Sequence, residues 1–361
     1  MKRPVLIMAG GTGGHVFPAL ALARLLRSRS YDVVWLGTRR GLEARVVPAN
    51  DFPIEWLSVG GLRGKGLTTL LAAPFRLAHA LYQALRVMRR HRPIVVVGLG
   101  GFVTGPGGIA AWLTRAPLVI HEQNAIAGFT NRCLAPLSRE VLTAFPNSFD
   151  ADTKARAIGN PVRQEIFAVP PPAERFARRS GAIRLLVIGG SLGAMKLNAT
   201  VPFAVARLAG TIDVEVRHQA GERWIESAKK NYADANVRAD VKPFIEDMAE
   251  AYAWADLVIC RAGALTISEL AAAGVGAILV PFPAAVDDHQ THNAQFLVQE
   301  SAAVLIHDRD ITADRLAEEL QRLCAGRGKL LAMAERARLM AKPRAAEELA
   351  ESCLRLIGEA A

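Results

Sequence analysis

The chain has 361 residues, longer than one hydrophobic core usually grows, so two domains are expected, each with a core of its own. Hydrophobic residues make up 51% and charged residues 22%, with no low-complexity tract, which excludes a disordered chain; no apolar run reaches the roughly 20 residues of a membrane span. The net charge of +10 is lopsided, because residues 1–160 hold 20 Lys and Arg against 8 Asp and Glu, whereas residues 161–361 hold 24 against 26; the basic half expects an anionic partner.

In chain order, Val5 to Met8 is a short apolar run before glycines, which suits a buried first strand and not a signal peptide. A cytoplasmic protein is expected. A helix from Pro18 to about Arg29, a strand Val33 to Leu36, a helix through Phe75 to Arg90 and a strand Ile94 to Val97 follow. A helix Gly107 to Thr114 and a strand Leu118 to His121 complete this half. Continuous apolar strands between helices imply a parallel sheet covered on both faces. The scheme repeats with strands at Leu185 to Ile188, Val214 to His218, Leu257 to Cys260 and Ala277 to Val280. Gly159-Asn160-Pro161 and Pro170-Pro171-Pro172 mark a linker, so the boundary falls near residue 160, giving domains 1–160 and 161–342. A terminal helix over 343–358 can pack on either half. The four cysteines, Cys133, Cys260, Cys324 and Cys353, lack CxxC spacing; they read as small buried side chains and not as a disulfide framework or zinc site.

Two glycine turns, Gly10-Gly11-Thr12-Gly13-Gly14-His15 and Gly189-Gly190-Ser191-Leu192-Gly193-Ala194, each follow a strand and open a helix. Such a turn offers bare N–H groups and the positive end of a helix to a phosphate. A dinucleotide fingerprint does not fit: Val16 takes the third glycine position, and the second strand ends in Gly37-Thr38-Arg39-Arg40 with no acid. His15 stands where the helix dipole favours a neutral ring, suited to a general base or simply to capping and packing. His121-Glu122-Gln123-Asn124 ends a strand, where doubly wound sheets place ligand-binding side chains. The glycine-dense segment from Gly98 to Gly108 is either a tight turn or a second anion cradle.

In the second half, the backbone at Ala264 to Thr266 can meet a diphosphate, and Glu269 can accept from ribose hydroxyls or merely favour the helix dipole. Asp287-Asp288-His289 hints at a metal, but adjacent loop residues rarely form a closed ligand set, and sugar hydroxyls suit this segment better. The apolar residues Leu67, Leu70, Leu71, Phe75, Leu81, Tyr82, Leu85 and Met88 lie among Lys65, Arg76, Arg86, Arg89 and Arg90. They read either as a core stripe with a solvated basic face or as a membrane-surface helix. Nucleic acid is disfavoured, since no recognition motif accompanies the charge.

Together, Gly10 to Pro18, Gly105-Pro106-Gly107-Gly108, His121 to Asn124, Gly159 to Arg163, and Gly263 to Thr266 with Ser268-Glu269 resemble the bacterial MurG glycosyltransferases, in order from residue 5 to about 295. The resemblance implies an α/β GT-B fold, two facing Rossmann-like domains with parallel sheets and an interdomain cleft. It implies a UDP-N-acetylglucosamine donor on the second domain. The first would take the acceptor, undecaprenyl-pyrophosphoryl-N-acetylmuramoyl-pentapeptide (lipid I), on the cytoplasmic face of an anionic membrane. Lipid II, the peptidoglycan precursor, would be the product, with no cofactor or metal. Carried over by position, Ala264, Leu265, Thr266, Ile267, Ser268 and Glu269 would hold diphosphate and ribose, Ile245 would meet the uracil through its backbone, and Arg163 and Ser191 would contact the nucleotide. Gln290, with Asn293, would contact the sugar, and Thr12, Gly13, Gly14 and Asn124 would reach the donor from across the cleft. His15 is the candidate base of an inverting displacement, with Glu122 as the alternative. Leu192 departs from the family's usual glutamine. The rival readings are a UDP-sugar 2-epimerase, which has the same architecture and needs no acceptor, and a membrane-surface nucleotide-sugar sensor that only binds.

Overall fold

The computed structural model describes residues 3–60, 73–190, 193–283 and 288–359. The chain divides into two compact units, Met1–Arg163 with Pro343–Ala361, and Gln164–Lys342.

The first unit is a seven-stranded, all-parallel sheet in the order β3-β2-β1-β4-β5-β6-β7. Its strands are β1 (Val5–Met8), β2 (Val33–Gly37), β3 (Ile54–Trp56), β4 (Val95–Gly98), β5 (Leu118–Glu122), β6 (Glu140–Thr143) and β7 (Ala155–Ala157). The continuous apolar runs have a direct cause: Val5 and Ile7 enter one core while Leu6 and Met8 enter another, and Val33 and Trp35 separate from Val34 and Leu36 in the same way. Both faces of the central strands are therefore buried. The helix Ala345–Glu359 belongs to this unit, its Leu349, Ala350, Cys353 and Leu356 completing the core around Val5 and Ile7. Ion pairs Arg355–Glu140 (2.6 Å) and Arg156–Glu348 (2.9 Å) hold its flank to the sheet.

The second unit repeats the plan with six parallel strands in the order β10-β9-β8-β11-β12-β13. These are β8 (Ile183–Ile188), β9 (Val214–Gln219), β10 (Ala239–Lys242), β11 (Leu257–Cys260), β12 (Gly276–Leu279) and β13 (Ala303–Leu305). In each unit the strand order reverses beside the strand that precedes a glycine turn, β1 or β8, and ligands of doubly wound sheets bind at such switch points.

Two local expectations change. The first helix spans Gly13–Ser28, starting well before Pro18, because Thr12 is its N-cap residue and its carbonyl accepts from the His15 and Val16 amides. Pro18 then sits inside the helix, which loses one hydrogen bond there. Cys133 is exposed, whereas Cys260, Cys324 and Cys353 are buried and their thiols are pushed up to about 12 by desolvation.

Candidate active site

In the first unit the glycine turn is filled from within. Glu43, on the short helix Glu43–Val46, is fully buried and accepts from the Gly11 amide (2.8 Å), the Thr38 amide (2.9 Å) and the Thr38 hydroxyl (2.7 Å). The acid sought at the end of β2 thus lies a few residues further on, and it binds the chain's own backbone. The Gly11 amide of this turn is thus engaged within the chain, while Gly13 and Gly14 open a helix with no side-chain cap and no acid in its first turn.

His15 lies in the first turn of its helix, half-buried, with Nδ1 3.0 Å from Gln123 Oε1. Gly100 and Gly101, after β4, have φ of +100° and +86°. A Cβ on Gly100 would stand 2.5 Å from His15 Nδ1, and one on Gly101 would collide with the Gly10 carbonyl. These two glycines let the loops touch at that point.

Glu122, the alternative base, is 3% exposed. Its Oε1 accepts from Asn124 N (2.9 Å) and Nδ2 (3.1 Å), and its Oε2 from Gly128 N (3.1 Å) and Asn131 Nδ2 (2.7 Å). Four N–H donors leave this carboxylate no open lone pair toward a substrate; it shapes the loop that carries Asn124. His121 beside it is fully buried, its Nε2 donating to the Gly159 carbonyl (2.9 Å), and desolvation lowers its pKa to about 4. Asn160 Nδ2 reaches the Gln123 carbonyl (3.3 Å), so the residues before Arg163 are tied to the end of β5. The Arg163 guanidinium lies 5.5 Å from the Phe17 ring. Thr12 is exposed, and Gly13 and Gly14 are half-buried at the helix start.

Next to this turn opens a cavity of about 990 Å³, lined by Gly11, Thr12, Arg39, Arg40, Trp56, Arg76, His79 and Phe102 among others. None of its described lining residues is acidic. Arg39 is stacked on Trp56 at 5.1 Å.

In the second unit the helix Ala264–Ala273 starts at Gly263, whose extended backbone ends the preceding loop, with no side-chain cap and no acid in the first turn. The amides of Ala264 to Thr266 belong to its first turn, and a helix N-terminus favours an anion. Glu269 is 6% exposed and accepts from the Tyr252 hydroxyl (3.1 Å). Leu265, Thr266 and Ser268 are half-buried, and the Ser268 hydroxyl donates to the Ala264 carbonyl (3.1 Å). Ile267 departs from its expected place: its side chain is fully buried and its amide donates to the Gly263 carbonyl (3.0 Å), so it supports the helix from below.

Gln219, at the end of β9, donates from Nε2 to the Gly190 carbonyl (3.1 Å) and accepts at Oε1 from the Ile245 amide (3.0 Å). The glycine turn and the Ile245 amide are therefore joined through one side chain. Behind the turn, buried His218 donates from Nε2 to Asn198 Oδ1 (3.0 Å) and accepts at Nδ1 from the Tyr232 hydroxyl (2.8 Å); Asn198 in turn donates to the Ala220 carbonyl (3.0 Å). Desolvation lowers His218 to about 3. Gln290 Oε1 accepts from the Phe282 amide (2.9 Å), and Asn293 donates to the Ala262 carbonyl (3.2 Å). Arg261 braces the end of β12 and pairs with Asp308 (2.6 Å). Ser191, Leu192 and Asp287 lie outside the described residues. No group of three or more His, Cys, Asp and Glu able to hold a metal occurs among the described residues.

Glu43, Gln219 and Tyr252 escaped the motif reading. Glu43 lies on a separate short helix, and Tyr252 is distant in sequence from Glu269. Gln219 did carry a signal, since His218-Gln219 ends a strand in polar residues just as His121 to Asn124 do.

The model of the N-terminal domain of glycosyltransferase family 28 matches residues 5–143, and that of the C-terminal domain of the same family matches residues 184–349. A UDP-N-acetylglucosamine–N-acetylmuramyl-(pentapeptide) pyrophosphoryl-undecaprenol N-acetylglucosamine transferase of Alkalilimnicola ehrlichii is 58% identical over 354 residues, covering 98% of this chain and 99% of that protein. The enzyme of the same name from Marinobacter nauticus is 56% identical, covering 98% and 97%. The crystal structure of Acinetobacter baumannii MurG matches with a TM-score of 0.85 at 40% identity, covering 98% of this chain and all of that one.

Proposed function

The chain belongs to the MurG enzymes of glycosyltransferase family 28, and on that premise we propose that it moves N-acetylglucosamine from UDP-N-acetylglucosamine to the muramoyl 4-hydroxyl of lipid I, forming lipid II. It is a GT-B enzyme of two Rossmann-like α/β units. The observation that carries the donor half is the uncapped, acid-free N-terminus of the helix Ala264–Ala273, with Glu269 buried one turn along it. Its amides at Ala264, Leu265 and Thr266 receive the diphosphate, Glu269 receives the ribose hydroxyls, and the Ile245 carbonyl receives the uracil. Ser191, Ser268 and Gln290 complete the nucleotide-sugar site, and Arg163 adds a cation.

In the chemical step the muramoyl oxygen attacks the anomeric carbon as its proton passes to His15. The bond from that carbon to the diphosphate oxygen breaks, the configuration inverts, and UDP leaves with the electron pair. Charge building on the leaving oxygen meets the helix N-terminus, a fixed dipole that needs no reorganisation. His15 serves as base in preference to Glu122, whose oxygens are already engaged by four donors. Thr12, Gly13, Gly14 and Asn124 are the residues of the first unit assigned to the donor.

The first unit takes the anionic acceptor, for which the cavity lined by Arg39, Arg40 and Arg76, with no acid among its described residues, is suited. The same unit exposes Phe75, Tyr82, Trp112 and Phe129 as well as Arg76, Arg86 and Arg89, and with these side chains it is proposed to rest on the cytoplasmic surface of an anionic membrane. No helix of the described residues is long and apolar enough to cross a membrane.

Incubating the full chain with UDP-N-acetylglucosamine, with and without a lipid I analogue, tests the activity. UDP release that depends on the acceptor is expected. Conversion to an epimerised donor, or donor binding without turnover in both conditions, would refute it.

A further inference from the structure

Gln123 follows Glu122 at the end of β5 and is 2% exposed. Its Nε2 is 2.6 Å from the carbonyl of Leu99, an atom that only accepts, so the amide nitrogen must lie on that side; the opposite orientation would press two oxygens together. Leu99 is itself fixed, being fully buried with its amide donating to the Met8 carbonyl at 2.9 Å. The other amide atom, Oε1, therefore faces His15 Nδ1 at 3.0 Å and can only accept. A neutral His15 meets it well in one tautomer alone, with the proton on Nδ1.

We infer that Gln123 is a positioning residue that holds His15 in the Nδ1–H tautomer and leaves Nε2 as its proton-accepting atom. The chain of contact runs from the Leu99 backbone, just past β4, through the Gln123 amide to the ring, and the absence of a side chain at Gly100 gives the ring room beside it. An amide does here what a carboxylate does in a hydrolase triad, orienting the ring and choosing its tautomer, without adding a charge. The catalytic part of this inference rests on His15 being the base; the tautomer does not.

The test uses nitrogen-15 NMR of the full-length protein labelled at histidine, with the His15 signals identified by their loss in His15→Asn, alongside steady-state kinetics. Wild-type protein is expected to show a protonated Nδ1 and a bare Nε2. Gln123→Met removes the acceptor: the tautomer preference is lost, and kcat falls by roughly tenfold or more while the donor KM stays within about twofold, a part of the ~10²–10⁴ that a general base supplies. Gln123→Glu, which must carry a proton on the oxygen facing the Leu99 carbonyl, keeps its other oxygen as an acceptor toward Nδ1 and is expected to retain the wild-type tautomer and more of kcat than Gln123→Met. A wild-type ring protonated on Nε2, or wild-type kcat in Gln123→Met, overturns the inference. Should Gln123→Met fail to fold, the wild-type spectrum and the Glu variant decide it. Unchanged kcat in His15→Ala removes the base reading instead, and is told apart because the spectrum does not depend on turnover.

Discussion

His15 is assigned to the chemical step and Glu269 to donor binding, and their replacement separates the two. His15→Ala is expected to lower kcat by roughly 10²–10⁴ with little change in donor KM, since the base acts only in the transition state. Glu269→Ala is expected chiefly to raise donor KM, by about tenfold, through loss of charge-assisted hydrogen bonds to the ribose. The reverse pattern in steady-state kinetics would exchange the two assignments. His121 and His218 supply a prediction about pH. Both are buried as neutral rings, lowered to about 4 and about 3, so between pH 6.5 and about 4 the unfolded chain binds protons that the folded chain refuses. Stability is therefore full above pH 6.5 and falls as the pH is lowered through that window, by about 3 kcal/mol for His121 alone. Urea unfolding midpoints between pH 7 and 4.5 check this, and His121→Gln, which keeps a donor for the Gly159 carbonyl, should flatten the dependence. At this scale the sequence located the polar ends of strands well. It could not say that Glu122 is saturated by Asn124, Gly128 and Asn131, because that depends on how the loop after β5 closes upon it.

Helices and turns decide how charge is handled. The two glycine turns look alike in sequence, yet Glu43 fills the first, while the Gly190 carbonyl of the second is held by Gln219. The anion site proposed for the second unit is the helix start at Ala264. Because this dipole, with Arg163, is the positive charge assigned to the leaving group, EDTA is expected to leave most of the transferase activity; complete loss restored by a divalent cation would contradict that assignment. The helix Ala73–His91 resolves two readings that hydrophobic spacing left open. Ala80, Ala84, Val87 and Met88 face the core, with Leu85 packed against it, whereas Phe75 (81% exposed) and Tyr82 (63%) face outward. The helix is thus both a core element and the carrier of an exposed apolar face. Leu67, Leu70 and Leu71 lie outside the described residues. Spacing alone missed this division because the inward face is built largely from alanines, small enough for close packing on the neighbouring helix Thr104–Leu113.

For the molecule as a whole, the charge is divided by substrate: the basic half is the one assigned to the acceptor and the membrane, the near-neutral half the one assigned to the soluble donor. Binding to anionic vesicles is expected to weaken as salt rises from 0.05 to 0.3 M, roughly as the screening length shortens. Phe75→Ser and Trp112→Ser should each weaken it by about tenfold without altering the unfolding transition, as both side chains are already exposed. Sedimentation with vesicles reads the first effect and thermal unfolding the second; unfolding of either variant would place these side chains in the core instead. The sequence by itself determined the doubled strand and helix pattern, the family, and the strand-end motifs, because parallel strands buried on both faces must be continuously apolar and ligand residues must interrupt that run at its end. Only the tertiary structure decided that Ala345–Glu359 completes the first core, that Glu43 closes the first turn, and that Gln123 faces His15 Nδ1. Those contacts join residues that are 32 to more than 300 positions apart, and local periodicity carries no information about which distant polar atoms the packing of a sheet brings within 3 Å.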